Sequence, residues 1–270
     1  MPRQDVFLDY GPGRRLHAIV AGPAGARQRA STPDLVYFPG NSCSAEDMHL
    51  LIPRLAARWR FLGIDGPGRE PVVWPDEEFD FFADMPRVMD WALARLGVGP
   101  HVAMGHSMGG MYALQHAHRH RDQVRALVLF EGFTTLPIHY KTAAPNGFRP
   151  VRMKYNVAIE FVKRLAANRY WEEARPRFKH TFWLSQHFHD ARSWVAELGI
   201  PILVFIGDLG QSLPKMPAAW HRQLGMEGVK DLTVEVIPNA GHMMMLDDPR
   251  RVGDALMRFL RRVAAPRIGR

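Results

Sequence analysis

The sequence predicts an α/β fold built around a mostly parallel sheet. Three observations lead there. Short apolar runs alternate with amphipathic stretches along most of the 270 residues. Several runs are apolar on both faces, as parallel strands are when helices cover them. One interval, 132–197, breaks that rhythm with helical stretches alone.

In chain order, RLHAIVA (15–21), DLVYFP (34–39), RFLGID (60–65), HVAMG (101–105), VRALVLF (124–130), PILVFIG (201–207) and LTVEVIP (232–238) read as strands. Residues 46–57 and 78–96 have helical spacing between them. In the second, Phe82, Met85, Met89, Ala92, Leu93 and Leu96 form one apolar stripe. Residues 108–120 and 248–263 read as two further helices. The interval 132–197 carries large side chains, among them Phe148, Tyr155, Trp171, Trp183 and Trp194. A connection so long is foreign to a compact domain unless it is a lid. The expected organisation is therefore a core of 1–131 and 198–270, with 132–197 inserted as a helical cap.

Composition narrows the function classes. Hydrophobic residues make up 47% and charged residues 23% of the chain, an ordinary balance for a globular protein. No apolar run approaches the roughly 20 residues that span a bilayer. The opening MPRQDVFLDYGPG lacks the apolar segment of a secretory signal, so a cytoplasmic location and no membrane partner are expected. The net charge of +8 comes from scattered arginines, densest in RFLRRVAAPRIGR at the end of the chain. No nucleic-acid-reading module accompanies them, and a solvated basic surface is expected. The single cysteine, Cys43, excludes an internal disulfide and reads as a small buried residue.

The chemistry-bearing stretch is GHSMG (105–109), a G-x-S-x-G pattern between the run HVAMG and the helical stretch after Ser107. A serine on a strand-to-helix turn has its hydroxyl lifted above the sheet, with glycines relieving the crowding and a helix N-terminus behind it. Here the chain resembles the α/β-hydrolase superfamily over nearly its whole length. The resemblance implies an eight-stranded, mostly parallel sheet, a helical cap after the sixth strand, and a triad in the order serine, acid, histidine. It makes Ser107 the nucleophile. It makes His242 the base, in VIPNAGHMMMLDDPRRV, where a late Gly-His is followed by an acidic-Pro segment and a closing helix. The oxyanion hole would take one N–H from Met108. By the same resemblance, Asn41 in FPGNSCSA supplies the second, although Pro39-Gly40 stands where most relatives have His-Gly. Ser42, His106, Phe133 and Met243 are candidate pocket residues.

The acid departs from the common pattern. Relatives place it after the seventh strand as G-x-x-D, but here FIGDLGQSLP puts Gly210 at that position and Asp208 two residues early. At the tip of the sixth strand, LVLFEGF offers Glu131 instead. Haloalkane dehalogenases carry an acid there, and PGN followed by LIPRLA extends the likeness to that branch. Their nucleophile is an aspartate followed by tryptophan, whereas this chain has Ser107 and Met108. Glu131 is favoured, with Asp208 as the alternative.

No cofactor and no metal are expected. His116 and His120 share a helix face at i and i+4, but no carboxylate joins them in sequence. His187, His189 and Asp190 read as polar cap surface, and IDGPGRE (64–70) as a structural turn. The expected reaction is acyl transfer to Ser107 and then to water, on an ester, thioester or lactone with a sizeable apolar part. Carbon–carbon cleavage or a lyase reaction on the same scaffold, or a receptor with vestigial turnover, are the alternatives.

Overall fold

The computed structural model describes residues 3–23, 32–40, 43–67, 72, 74, 83–132, 134, 190–209 and 217–264. Its strands are β1 (Gln4–Gly11), β2 (Arg14–Ala21), β3 (Asp34–Phe38), β4 (Phe61–Asp65), β5 (His101–His106), β6 (Val124–Phe130), β7 (Ile202–Gly207) and β8 (Leu232–Ile237). They form one sheet in the order β1-β2-β4-β3-β5-β6-β7-β8. The β1–β2 and β2–β4 pairs are antiparallel, and every pair from β4 through β3 to β8 is parallel.

Of the seven strands read from sequence, β3 to β7 are buried on both faces, whereas β2 and β8 are only partly covered. Every residue of β3, β4, β5 and β7 is buried, and only Arg125 of β6 is exposed. One face packs on α2 (Met85–Arg95) and α3 (Met108–Arg119), through Met85, Met89, Met111 and Leu114. The other packs on α1 (Ile52–Ala56) and the closing helix α7 (Pro249–Ala264), through Ile52, Leu55, Leu256 and Leu260. Between them in sequence lie α4 (Arg192–Val195), α5 (Pro217–Gln223) and α6 (Met244–Asp247). On α7 the arginines lie opposite the buried stripe, where Arg258 and Arg262 pair with Glu235 and Asp231. Part of the basic excess is therefore tied to acids of the sheet edge.

Three expectations are corrected. The eighth strand is β1, from a segment not read as a strand; it pairs with β2 around the turn at residues 12 and 13. Residues 46–57 are not one helix. They split into a 3₁₀ turn (Ala45–Met48) and α1, because Pro53 has no N–H to give the carbonyl of His49 and its ring crowds that oxygen. The stretch 78–96 is helical only from Met85 onward among the described residues. The proposed cap falls mostly at 135–189, outside the described residues. Its two ends do meet, since the N–H of Ala191 donates to the carbonyl of Thr134 at 2.9 Å. Among the described residues no helix is long and apolar enough to cross a membrane.

Strand order positions the site. From β3 the chain steps to β4 on one side and then returns to β5 on the other. At such a reversal the loops leave the carboxyl ends of the strands in opposite directions and open a crevice. Here that crevice lies between the ends of β3 and β5, where Gly40 and Ser107 follow.

The antiparallel end of the sheet carries a buried ion pair. His17 of β2 faces Asp65 of β4, with Nδ1 2.8 Å from Oδ2, and its Nε2 lies 3.1 Å from Oδ1 of Asp5 on β1. Burial works against the charged ring, but Asp65 and then Asp5 outweigh it and raise the His17 pKa above 6.5. Asp5 moves the other way, below its usual value, chiefly through its hydrogen bond to His17. The stability contributed by His17 is thus fully present below pH 6.5 and is lost as pH rises through the raised value. Urea denaturation across pH 6 to 9 checks this. His17→Gln should flatten the alkaline decline, and an unchanged profile would contradict it.

Candidate active site

Ser107 separates β5 from α3 with φ 52° and ψ −122°, a conformation a side chain adopts at a cost of about 1–3 kcal/mol. It is held there from both sides. Its N–H donates to the carbonyl of Phe130 at 2.9 Å, and its carbonyl accepts from Gly110 at 2.9 Å. The glycine after Met108 is required by close approach, because a Cβ on Gly109 would stand 2.1 Å from the carbonyl oxygen of Phe38. Met108 opens α3, in the first turn, where N–H groups point outward along the helix axis.

The loop after β3 passes directly over this turn. A Cβ on Gly40 would lie 2.6 Å from Nδ1 of His106 and 3.1 Å from Cβ of Ser107. Asn41 and Ser42, the next two residues, lie outside the described residues, as does Phe133. Beside the loop lies a small apolar cavity of about 20 Å³, lined by Phe38, Pro39, Ile64, Met85, Met89 and Tyr112.

His242 sits on the loop between β8 and α6, and several hydrogen bonds fix that loop. The N–H of Asn239 donates to Oδ1 of Asp208, and the N–H of Gly241 donates to Oδ2 of Asp247 at 2.7 Å. Nε2–H of His106 donates to the carbonyl of His242 at 2.9 Å, with the two ring centroids 4.5 Å apart. In sequence His106 is a candidate pocket residue with no chemical part. It is wholly buried, wedged between the β3 loop and the backbone of His242. Met243 is buried in the core layer that contains α7.

Of the two candidate acids, the structure brings Glu131 to the histidine. Nδ1 of His242 is 2.6 Å from Oε2 of Glu131, whose side chain is only 2% exposed. The second oxygen, Oε1, accepts the N–H of Gly207 at 3.0 Å. Glu131 follows β6, and its φ of 45° bends the chain off the strand. In the β5–β6 register His106 pairs with Phe130, so Ser107 and Glu131 leave neighbouring strands at the same level. Asp208 instead spends its carboxylate on the turn at Asn239, whose φ is 55°. A carboxylate on Nδ1 holds the ring proton there and leaves Nε2 as the basic nitrogen.

The comparisons with known proteins agree with this architecture. The profile of the Alpha/beta hydrolase family matches residues 35–255. The chain is 26% identical over 263 residues to the uncharacterized carboxylesterase nap of Bacillus subtilis (strain 168), covering 90% of this chain and 82% of that protein. It is 24% identical over 275 residues to 2-hydroxy-6-oxo-6-(2'-aminophenyl)hexa-2,4-dienoic acid hydrolase of Metapseudomonas resinovorans, covering 96% and 88%. The crystal structure of naproxen esterase from Bacillus subtilis superposes with a TM-score of 0.69 at 19% identity, over 96% of this chain and 91% of that one. With a profile match spanning most of its length, the chain belongs to the alpha/beta hydrolase family.

Proposed function

We propose that this chain is a serine hydrolase acting on carboxylic esters, thioesters or lactones, with Ser107 as nucleophile, His242 as general base and Glu131 as the acid. The observation that carries this reading is the 2.6 Å contact between His242 and Glu131, made one strand over from the strained turn of Ser107. Carboxylesterases among the relatives point to the same substrate class.

In the proposed reaction His242 Nε2 takes the proton of Ser107 as Oγ bonds to the acyl carbon. Glu131 stabilises the imidazolium that results. The negative oxygen of the tetrahedral intermediate is met by the N–H groups of Met108 and Asn41. The imidazolium then gives its proton to the departing alcohol or thiol. Water, deprotonated by the same ring, attacks the acyl-enzyme and restores the Ser107 hydroxyl.

The large apolar side chains of residues 132–197, Phe148, Tyr155, Trp171 and Trp183 among them, support a substrate with a substantial apolar part. A p-nitrophenyl ester series from acetate to octanoate tests this. kcat/KM should rise by up to about fourfold per methylene while the chain is still being buried, the equivalent of about 0.8 kcal/mol for each CH₂. A flat or falling series would remove the apolar subsite. A second reading, carbon–carbon hydrolysis, rests on the Metapseudomonas relative. Protein that reacts with a fluorophosphonate yet turns over no ester, thioester or lactone would favour it.

A further inference from the structure

At the far end of α3 from Ser107, the fold supplies the carboxylate that His116 and His120 lack in sequence. Asp90 of α2 packs against them, with Oδ1 2.8 Å from Nε2 of His120 and 3.5 Å from Nδ1 of His116. One ligand atom from each of the three residues lies within 4.8 Å of the other two. The second oxygen of Asp90 is taken by Arg119, at 3.1 Å, which leaves Oδ1 for the cluster.

The hydrogen bonds behind this cluster fix which nitrogen of His116 is bare. Nδ1 of His101 is 2.8 Å from the carbonyl of Gly99, so it must carry a proton and donate. Nε2 of His101 and Nε2 of His116 are 3.0 Å apart, so one of the two must donate to the other. Both rings are buried, at 1% and 4% exposure, which disfavours a second proton on either. His101 therefore accepts and His116 donates from Nε2. The lone pair of His116 Nδ1 is then left facing the carboxylate of Asp90. His116 Nδ1 and Asp90 Oδ1 then converge 3.5 Å apart, with His120 beside them, in a half-buried place. A cation there would be ligated by all three. The relay from His116 through His101 to a backbone carbonyl is the kind of outer support that orients a metal-ligating histidine.

We propose that Asp90 Oδ1, His116 Nδ1 and His120 Nε2 bind a divalent transition cation of the Zn²⁺ or Ni²⁺ type, which ties α2 to the C-terminal end of α3. Two imidazoles and one carboxylate suit these borderline cations rather than Mg²⁺ or Ca²⁺, which prefer all-oxygen sites. His116, the nearest of the three ligands in sequence, lies nine residues along the helix from Ser107, about 14 Å at 1.5 Å per residue. The ion is therefore a structural clamp, outside the proposed ester chemistry.

The test is titration of chelator-treated full-length protein with ZnCl₂, followed by calorimetry and thermal unfolding, with the Co²⁺ absorption spectrum reporting the ligand set. One Zn²⁺ per chain should bind. At a hundredfold excess over Kd, Tm should rise by roughly 5 °C or more. Asp90→Asn and His120→Gln should each weaken binding by at least about 100-fold, whereas His118→Gln on the same helix leaves it unchanged. If Asp90→Asn does not fold, the half-exposed His120 position decides alone. Absence of one-to-one binding at about 100 μM Zn²⁺, or binding that survives His120→Gln, overturns the proposal.

Discussion

Glu131→Gln should lower kcat/KM on a p-nitrophenyl ester by about 10⁴, while Asp208→Asn should leave it within a few-fold. Gln is the same size and keeps an oxygen for the N–H of Gly207, so the fold around it should stand. What changes is the partner of His242. An amide nitrogen at the Oε2 position donates to Nδ1, which moves the ring proton to Nε2 and leaves no lone pair there to accept the proton of the proposed nucleophile. The imidazolium also loses its counter-charge in a place where the carboxylate is almost fully buried. Asp208, by contrast, accepts from the backbone of Asn239, a hydrogen bond that Asn can also accept. The expected penalty there is confined to stability. Steady-state kinetics on both variants, with circular dichroism to confirm folding, makes the comparison. Severe loss in Asp208→Asn with a near-normal Glu131→Gln would reverse the assignment of the acid.

Ser107→Ala should cost about 10⁶ in kcat, the scale seen when a triad nucleophile is removed. Alanine keeps the Cβ, so the turn at φ 52° and its bonds to Phe130 and Gly110 should be retained. The melting temperature should therefore change little while turnover vanishes. What activity survives would come from binding and oxyanion stabilisation of direct water attack. A loss of only ten- to a hundredfold would mean that another group attacks the acyl carbon.

Local patterns carried much of the architecture, and the misses have physical reasons. β3 to β7 were legible because burial on both faces leaves nearly continuous apolar runs. β1 was not, since QDVFLDYG lies at the sheet edge with polar residues toward water and Phe7 47% exposed. Pro53 was visible in the sequence and marks where the helix at 46–57 had to break. The turn at Ser107 and the loop at His242 are announced by motifs a few residues long. The partner of His242 is announced less directly: the missing G-x-x-D favours Glu131, but Glu131 and Asp208 end neighbouring strands and the path of the returning loop is what brings Glu131 to the ring. Asp90 joining His116 and His120 is likewise a product of helix packing across about 30 residues of chain. No spacing rule within α3 could supply it. His106 was readable as a motif neighbour of the serine, but its bond to the backbone of His242 spans 136 residues.

The proposed chemistry turns on an activated hydroxyl at one position. Mass-spectrometric mapping of the adduct formed by a fluorophosphonate on the folded protein tests that most directly. A single modification is expected, on the peptide that contains Ser107, with its rate sharply reduced in His242→Gln. Modification at any other residue, or undiminished labelling of Ser107→Ala, would contradict it.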